Sequence, residues 1–408
     1  MNFYFWLLII IISSEYVLEQ TLDYLNNTYR NKEIPDELKD IYNEKEYKKQ
    51  QEYEKQNGKL SFISDTFSFL LILIMLVLNG FAIVNEISLS ISSNPYISAL
   101  IFFGIILFAS DVLNLPFSYY STFIIEEKFG FNKTTKKTFF TDYVKNWLVS
   151  AVILSIIFPA ILWFYFQDAV HFWLYAWILL SAFMIFMSMF YSNLIVPLFN
   201  KQTPLEDGEL KESINKFARK VGFKIDNIYK IDGSKRSTKA NAYFTGLGKK
   251  KRIVLYDTLI NDLTTNEIVA VLAHEIGHYK KKHTLQSIII RILQAGLTLY
   301  IFSFFVNNLE LNQALGVDKV YFHIGLIAFT IIYSPISLVL GILTNILSRK
   351  NEYEADNFAK ENFNAEDLIS ALKKLSKNSL SNLTPHPAYV FFYYSHPTLY
   401  QRIKNLKK

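Results

Sequence analysis

Seven blocks of apolar residues, at about 3–20, 66–85, 96–116, 147–167, 172–199, 285–306 and 321–347, constrain this chain more than any other feature. Each is near the roughly 20 residues that a helix needs to cross a bilayer. Backbone in lipid must satisfy its own hydrogen bonds, and apolar runs of this length do so as helices. Hydrophobic residues make up 51% of the 408, and aromatic residues 16%, which is too apolar for an ordinary soluble enzyme. The first block has no basic residue in positions 1–4, and no small-residue cleavage site follows Ile12. It reads as an uncleaved anchor and not as a signal peptide.

Seven crossings divide the polar loops into two sets. Residues 21–65, 117–146, 200–284 and 348–408 hold nearly every Lys and Arg, whereas the loops around 86–95, 168–171 and 307–320 hold only Lys319. Because Lys and Arg in short loops mark the cytoplasmic side, the N-terminus is expected outside and the C-terminus inside. The net charge of +6 then matches basic loops lying against anionic membrane lipid. No basic motif suits nucleic acid, and no obligate protein partner is implied. Cysteine is absent, so any metal must be held by His and carboxylate.

The chain divides into residues 1–199, five spans with their loops; 200–284, a polar insertion; 285–347, two further spans; and 348–408, a C-terminal segment. In the insertion, Leu210, Ile214, Phe217 and Val221 follow helical spacing and stop at Gly222, and 228–232, 240–245 and 252–256 read as short strands. The fold class expected is an all-α membrane protein with a small cytoplasmic α+β insertion. The run 31–59 alternates acidic and basic residues and reads as a solvated helix or loop without catalytic role.

The insertion ends in His274-Glu275-Ile276-Gly277-His278. H-E-x-x-H on a helix sets two imidazoles one turn apart with a carboxylate between them, the arrangement of a zinc site with a built-in general base. Thr264 and Glu267 form a capping box ahead of it, and Ile268, Val271 and Leu272 supply an apolar face.

Catalytic zinc usually has three protein ligands. Glu352 and Asp356 lie i, i+4 on one helical face, and Glu354 lies about 200° away from Glu352. Glu352 could ligate while Asp356 orients a ligand imidazole, or the two could be a surface pair. Two spans separate this segment from H-E-x-x-H, so both emerge on one side of the membrane. His283 follows His278 by five residues, about 140° round a continuous helix, and reads as facing lipid heads or solvent. His171 and His323 stand at span ends, where amphipathic side chains collect. His396, in an aromatic-rich tail with His386, is either a core residue or a transition-state donor.

These motifs together resemble the integral-membrane CAAX prenyl endopeptidases of type I, the a-factor-converting zinc metallopeptidases. The likeness rests on residues 115–133 (LPFSYYSTFIIEEKFGFNK), Pro197-Leu198-Phe199-Asn200, 203–210 (TPLEDGEL), Asn241-Ala242-Tyr243-Phe244, Arg252-Ile253-Val254-Leu255, HEIGH with His283, Glu352-Tyr353-Glu354-Ala355-Asp356, and 394–399 (YSHPTL) with Arg402. It runs from about residue 60 to the end, and 1–59 match in general character only. The resemblance implies seven helices forming a chambered barrel. It implies one Zn2+ held by His274, His278 and Glu352, with Glu275 as base, His396 and Arg402 lining the site and Asp356 behind a ligand. It also implies that Asn241, Ala242, Tyr243 and Phe244 form the edge on which a peptide or lipidated peptide lies by strand addition.

The activity so implied is hydrolysis of prenylated C-a-a-X tails or similar membrane-proximal peptides. A quality-control peptidase without prenyl substrates stays open at this level, as does a non-catalytic membrane scaffold, against which the intact Glu275 argues. The shorter heat-shock-type membrane peptidases share H-E-x-x-H but not seven spans or the 115–133 block. Site-2-type intramembrane proteases carry the motif inside an apolar span, whereas Lys280, Lys281 and Lys282 follow it here.

Overall fold

Many large apolar side chains of this chain lie on its outer surface and not in a core. The computed structural model describes residues 2–225, 227–245 and 252–408. Among these, seven helices are long and apolar enough to cross a membrane: Phe3–Thr28, Glu44–Val77, Pro95–Phe129, Lys136–Gln167, Phe172–Phe199, His283–Phe305 and Phe322–Asn362. Their outer faces carry exposed apolar stripes at helical spacing. On the sixth span Ile289, Leu293, Leu297, Tyr300 and Phe304 are all more than 40% exposed, which only a lipid surround tolerates. The same helix turns polar groups inward: Gln294 donates to Thr344 (3.1 Å) and Thr298 to Tyr333 (2.8 Å), both on the seventh span. Two-faced spans of this kind build a helical membrane chamber, the expected fold class.

The second span departs from its hydropathy. Helix Glu44–Val77 stops where Asn79 takes a left-handed conformation (φ 54°), and Gly80–Ile91 forms a separate short helix. The apolar block 66–85 therefore contains a break that composition does not show, because Asn tolerates this backbone region better than most residues. The polar start of the same helix is not simply solvated. Leu38, Ile41 and Tyr42 are buried just before it, and the Tyr42 hydroxyl donates to the carbonyls of Ser376 and Ser381.

Outside the spans, one buried cluster joins the insertion, the C-terminal segment and this N-terminal stretch; it includes Leu38, Ile253, Ile268, Ile276, Ala359, Leu368 and Ile403. The insertion contains a helix, Glu209–Lys220, ended by Gly222 at φ +60°, and a four-stranded sheet. The strands are β1 (Gln202–Pro204), β2 (Asn227–Ile231), β3 (Ala242–Thr245) and β4 (Arg252–Tyr256), in the order β1-β2-β4-β3. β2 and β4 are parallel and the other pairs antiparallel. β3 is thus an edge strand, paired on one side only among the described residues.

Two helices carry the site. Thr265–Lys280 holds the HEIGH sequence, and the predicted capping box is formed: Thr264 N–H donates to Glu267 Oε2 (2.8 Å) and Glu267 N–H to Thr264 Oγ1 (3.4 Å). The 41-residue helix Phe322–Asn362 is about 60 Å long at 1.5 Å per residue, twice what a bilayer core needs. It runs unbroken from the seventh span into the polar region, so Glu352 and Asp356 ride on a membrane-anchored rod.

Candidate metal centre

Gly277 permits the two helices to meet. A Cβ there would lie 3.1 Å from Ala355 Cα and 3.2 Å from the Ala355 carbonyl oxygen. That approach brings His274 and His278 from one helix against Glu352 from the other. Nε2 of His274 is 3.1 Å from Nε2 of His278 and 3.4 Å from Glu352 Oε2, and His278 Nε2 is 3.2 Å from Glu352 Oε1. A tetrahedron with ligand bonds of 2.0–2.1 Å has edges of about 3.3 Å, so the three donors are spaced as ligands of one ion. A second observation agrees. Glu352 Oε2 is buried and makes no hydrogen bond among the described residues, with His274 Nε2 at 3.4 Å and the Arg402 guanidinium at 3.6 Å, which leaves it an acceptor open to a further partner.

Behind this trio the groups are tightly paired. Asp356, fully buried, sets Oδ1 2.8 Å from His274 Nδ1. Arg402 forks onto the same carboxylate, donating from Nη2 to Oδ1 (2.6 Å) and from Nε to Oδ2 (2.9 Å). Burial and the Arg402 charge both push the His274 imidazole toward its neutral form. The Asp356 and Glu352 carboxylates outweigh them and raise its pKa to about 9. A metal would therefore displace a proton from His274 on binding.

Glu275 lines two cavities at once, one of them shared with His274, His278 and Glu352. One, of about 260 Å³, is bounded by Asn241, Ala242, Leu259, Val271, His396 and Arg402. The other, of about 310 Å³, is bounded by Phe244, Ser287, Arg291 and Ser348 and opens along the inner face of the sixth span. The segment 241–244 passes from one cavity to the other on the free edge of the sheet. Tyr243 lies on that strand but bounds neither cavity; Gln202 donates to its hydroxyl at 3.4 Å. His396 stands over the trio with Nε2 3.3 Å from Glu352 Oε1, and its side chain is 61% exposed. The core alternative for His396 is thereby removed.

His283 does not lie where helical spacing put it. The HEIGH helix ends at Lys280, and Lys282 adopts a left-handed conformation (φ 63°) that starts the sixth span at His283. The turn folds the ring back, so that His283 is only 5% exposed and its Nδ1 is 3.0 Å from His278 Nδ1. Its Nε2 reaches Glu354 Oε2 at 3.2 Å. The expectation of a histidine facing solvent or lipid assumed one continuous helix, and the left-handed lysine breaks it. His323, at the other end of the membrane, is buried against Asn85. His171 pairs with Asp168, and His386 caps a short helix.

Comparison with known proteins agrees with this geometry. The family model described as CAAX prenyl protease N-terminal, five membrane helices, matches residues 24–201, and that of peptidase family M48 matches residues 204–408. The CAAX prenyl protease 1 homolog of Dictyostelium discoideum is 37% identical over 390 residues, covering 92% of this chain and 89% of the relative. CAAX prenyl protease 1 of Saccharomyces cerevisiae is 34% identical over 399 residues, covering 91% and 88%. The crystal structure of S. mikatae Ste24p superimposes with a TM-score of 0.95 at 33% identity, over 100% of each chain. The chain belongs to the CAAX prenyl protease 1 family of membrane metallopeptidases, peptidase family M48.

Proposed function

We propose that the metal is one Zn2+ held by His274, His278 and Glu352, and that the chain hydrolyses prenylated C-a-a-X tails or similar membrane-proximal peptides. The mutual spacing of the three donors carries this reading, and an all-His/carboxylate set suits zinc in a catalytic site. When bound, zinc supplies a Lewis acid for the scissile carbonyl and a lowered pKa for water.

Glu275 accepts the proton of the attacking water and returns it to the leaving amine. Its position on the boundary of both cavities sets it beside a peptide that runs from one to the other. Asn241, Ala242, Tyr243 and Phe244 hold that peptide as an added strand on the free edge of the sheet. His396 donates to the oxyanion that develops at the carbonyl, a role worth about 2.7–4 kcal/mol in other hydrolases. Asp356, gripped by Arg402, fixes the His274 ring so that its Nε2 faces the metal.

Lys and Arg crowd the loops on the side of the membrane that carries the site, which supports a cytoplasmic active site. The second cavity runs beside the inner face of the sixth span, where Thr284, Ser287, Arg291, Ser348 and Asn351 give it a mostly polar lining that suits the peptide part of a substrate. Digestion of a farnesylated C-a-a-X peptide and its unmodified twin by purified protein, followed by mass spectrometry, tests the substrate class. Preferential release of the three terminal residues from the farnesylated peptide is expected. Equal cleavage of both would favour a general membrane-proximal peptidase.

A further inference from the structure

The two proposed ligand histidines are supported in different ways, and only one support was foreseen from the sequence. His274 rests directly on a buried carboxylate, with Nδ1 2.8 Å from Asp356 Oδ1. Among the described residues, His278 has no carboxylate paired with its Nδ1; what lies there, at 3.0 Å, is the ring of His283. We infer that His283 is the positioning residue of His278, and that with Glu354 it forms a relay that fixes the tautomer and orientation of that metal-facing ring. This rests on the zinc reading above.

The proton arrangement follows stepwise. With Nε2 turned to the Glu352 side as a lone-pair donor, neutral His278 carries its only ring proton on Nδ1. Nδ1–H therefore donates to His283 Nδ1, which must be the acceptor. His283 is left with its proton on Nε2, where it donates to Glu354 Oε2 at 3.2 Å. Each assignment is forced by the one before it. Reversing any of them puts two donors or two acceptors face to face.

The relay depends on local backbone. Left-handed Lys282 turns the chain so that the first residue of the sixth span points back at the helix it has just left. Glu354 projects away from the metal on its own helix, yet His283 spans the gap and links it to His278. Glu354 is 40% exposed, whereas Asp356 is fully buried. The His278 arm therefore ends in a partly hydrated carboxylate and holds its ring less firmly than the His274 arm.

Zinc affinity of purified full-length protein, measured by chelator competition, tests the relay without reference to turnover. His283→Leu should weaken zinc binding by about 10–100-fold, the usual effect of removing a group that orients a ligand. His283→Gln keeps an acceptor for His278 and a donor for Glu354, and should recover most of the loss. Glu354→Ala, which leaves His283 in place, should cost about tenfold; it carries the test if His283→Leu does not fold. Metal-free thermal midpoints, compared among the variants, separate lost orientation from lost structure. Unchanged affinity in His283→Leu or Glu354→Ala, or failure of His283→Gln to recover, overturns the relay while leaving the zinc site standing. Wild-type protein that takes up no zinc overturns both.

Discussion

Gly277 and Ala355 touch backbone to backbone. The space beside Gly277 is so limited that a single methyl group would meet Ala355 Cα at 3.1 Å and Phe358 Cβ at 3.1 Å. The glycine of HEIGH is therefore the contact that lets the histidines of one helix and Glu352 of the other converge on a common point.

Gly277→Ala should push the two helices apart by a few tenths of an ångström and lower stability by about 1–3 kcal/mol through overpacking. Gly277→Val should also strip the metal. Thermal midpoint and zinc content together check this. Wild-type values for both in Gly277→Val would mean that the helices are not held at this distance.

The neighbours Glu352 and Glu354 separate binding from support. Glu352→Ala removes a proposed ligand and should leave no stoichiometric zinc, whereas Glu354→Ala should keep one zinc per chain at reduced affinity. Elemental analysis after dialysis measures the contrast, and zinc retained in Glu352→Ala would remove it from the ligand set.

Glu267 makes a pH-dependent contribution. Burial raises its pKa, but the Lys374 ammonium, the Ser370 hydroxyl and the Thr264 N–H outweigh burial and lower it from the ordinary 4.5 to about 2. The folded protein thus holds the charged form more strongly than the unfolded chain does. The resulting stability is present in full above about pH 4.5 and is lost as the pH falls through 4.5 toward 2. Glu267→Gln should flatten that part of the curve of melting temperature against pH; an unchanged slope would assign the acid sensitivity to other carboxylates.

Much of the architecture is legible in the sequence for a physical reason. Lipid demands about 20 apolar residues in a row, and each of the seven blocks so marked overlaps a membrane-length helix, with only 66–85 broken, at Asn79. The capping box at Thr264 and Glu267 was equally plain, because both halves of a cap are local in sequence. Other features depend on partners far away in the chain. β1 is three residues long and ends in Pro204, too short to show alternation. The acidic-basic run after residue 31 looks solvated until Tyr42 finds the carbonyls of Ser376 and Ser381. His283 was misread because a single left-handed lysine, for which no residue pattern speaks, separates two helices that spacing joined.

The absence of native cysteine makes the membrane orientation directly testable. Single cysteines replacing Lys137 or Glu361 should be shielded from an impermeant thiol reagent in intact cells, whereas one replacing Lys319 should react. Asn312, in the same loop as Lys319, is fully buried and unsuited as a reporter. Labelling at Glu361→Cys from outside would invert the orientation proposed for the site.

The central claim is that Glu275 is the base of a zinc hydrolase and not one of the metal's ligands. Glu275→Gln changes neither ligand atoms nor side-chain size, so zinc content and peptide cleavage measured on one preparation separate the two roles. The account predicts one zinc per chain and no detectable release of the C-terminal tripeptide. Wild-type cleavage, or loss of the metal, would contradict it.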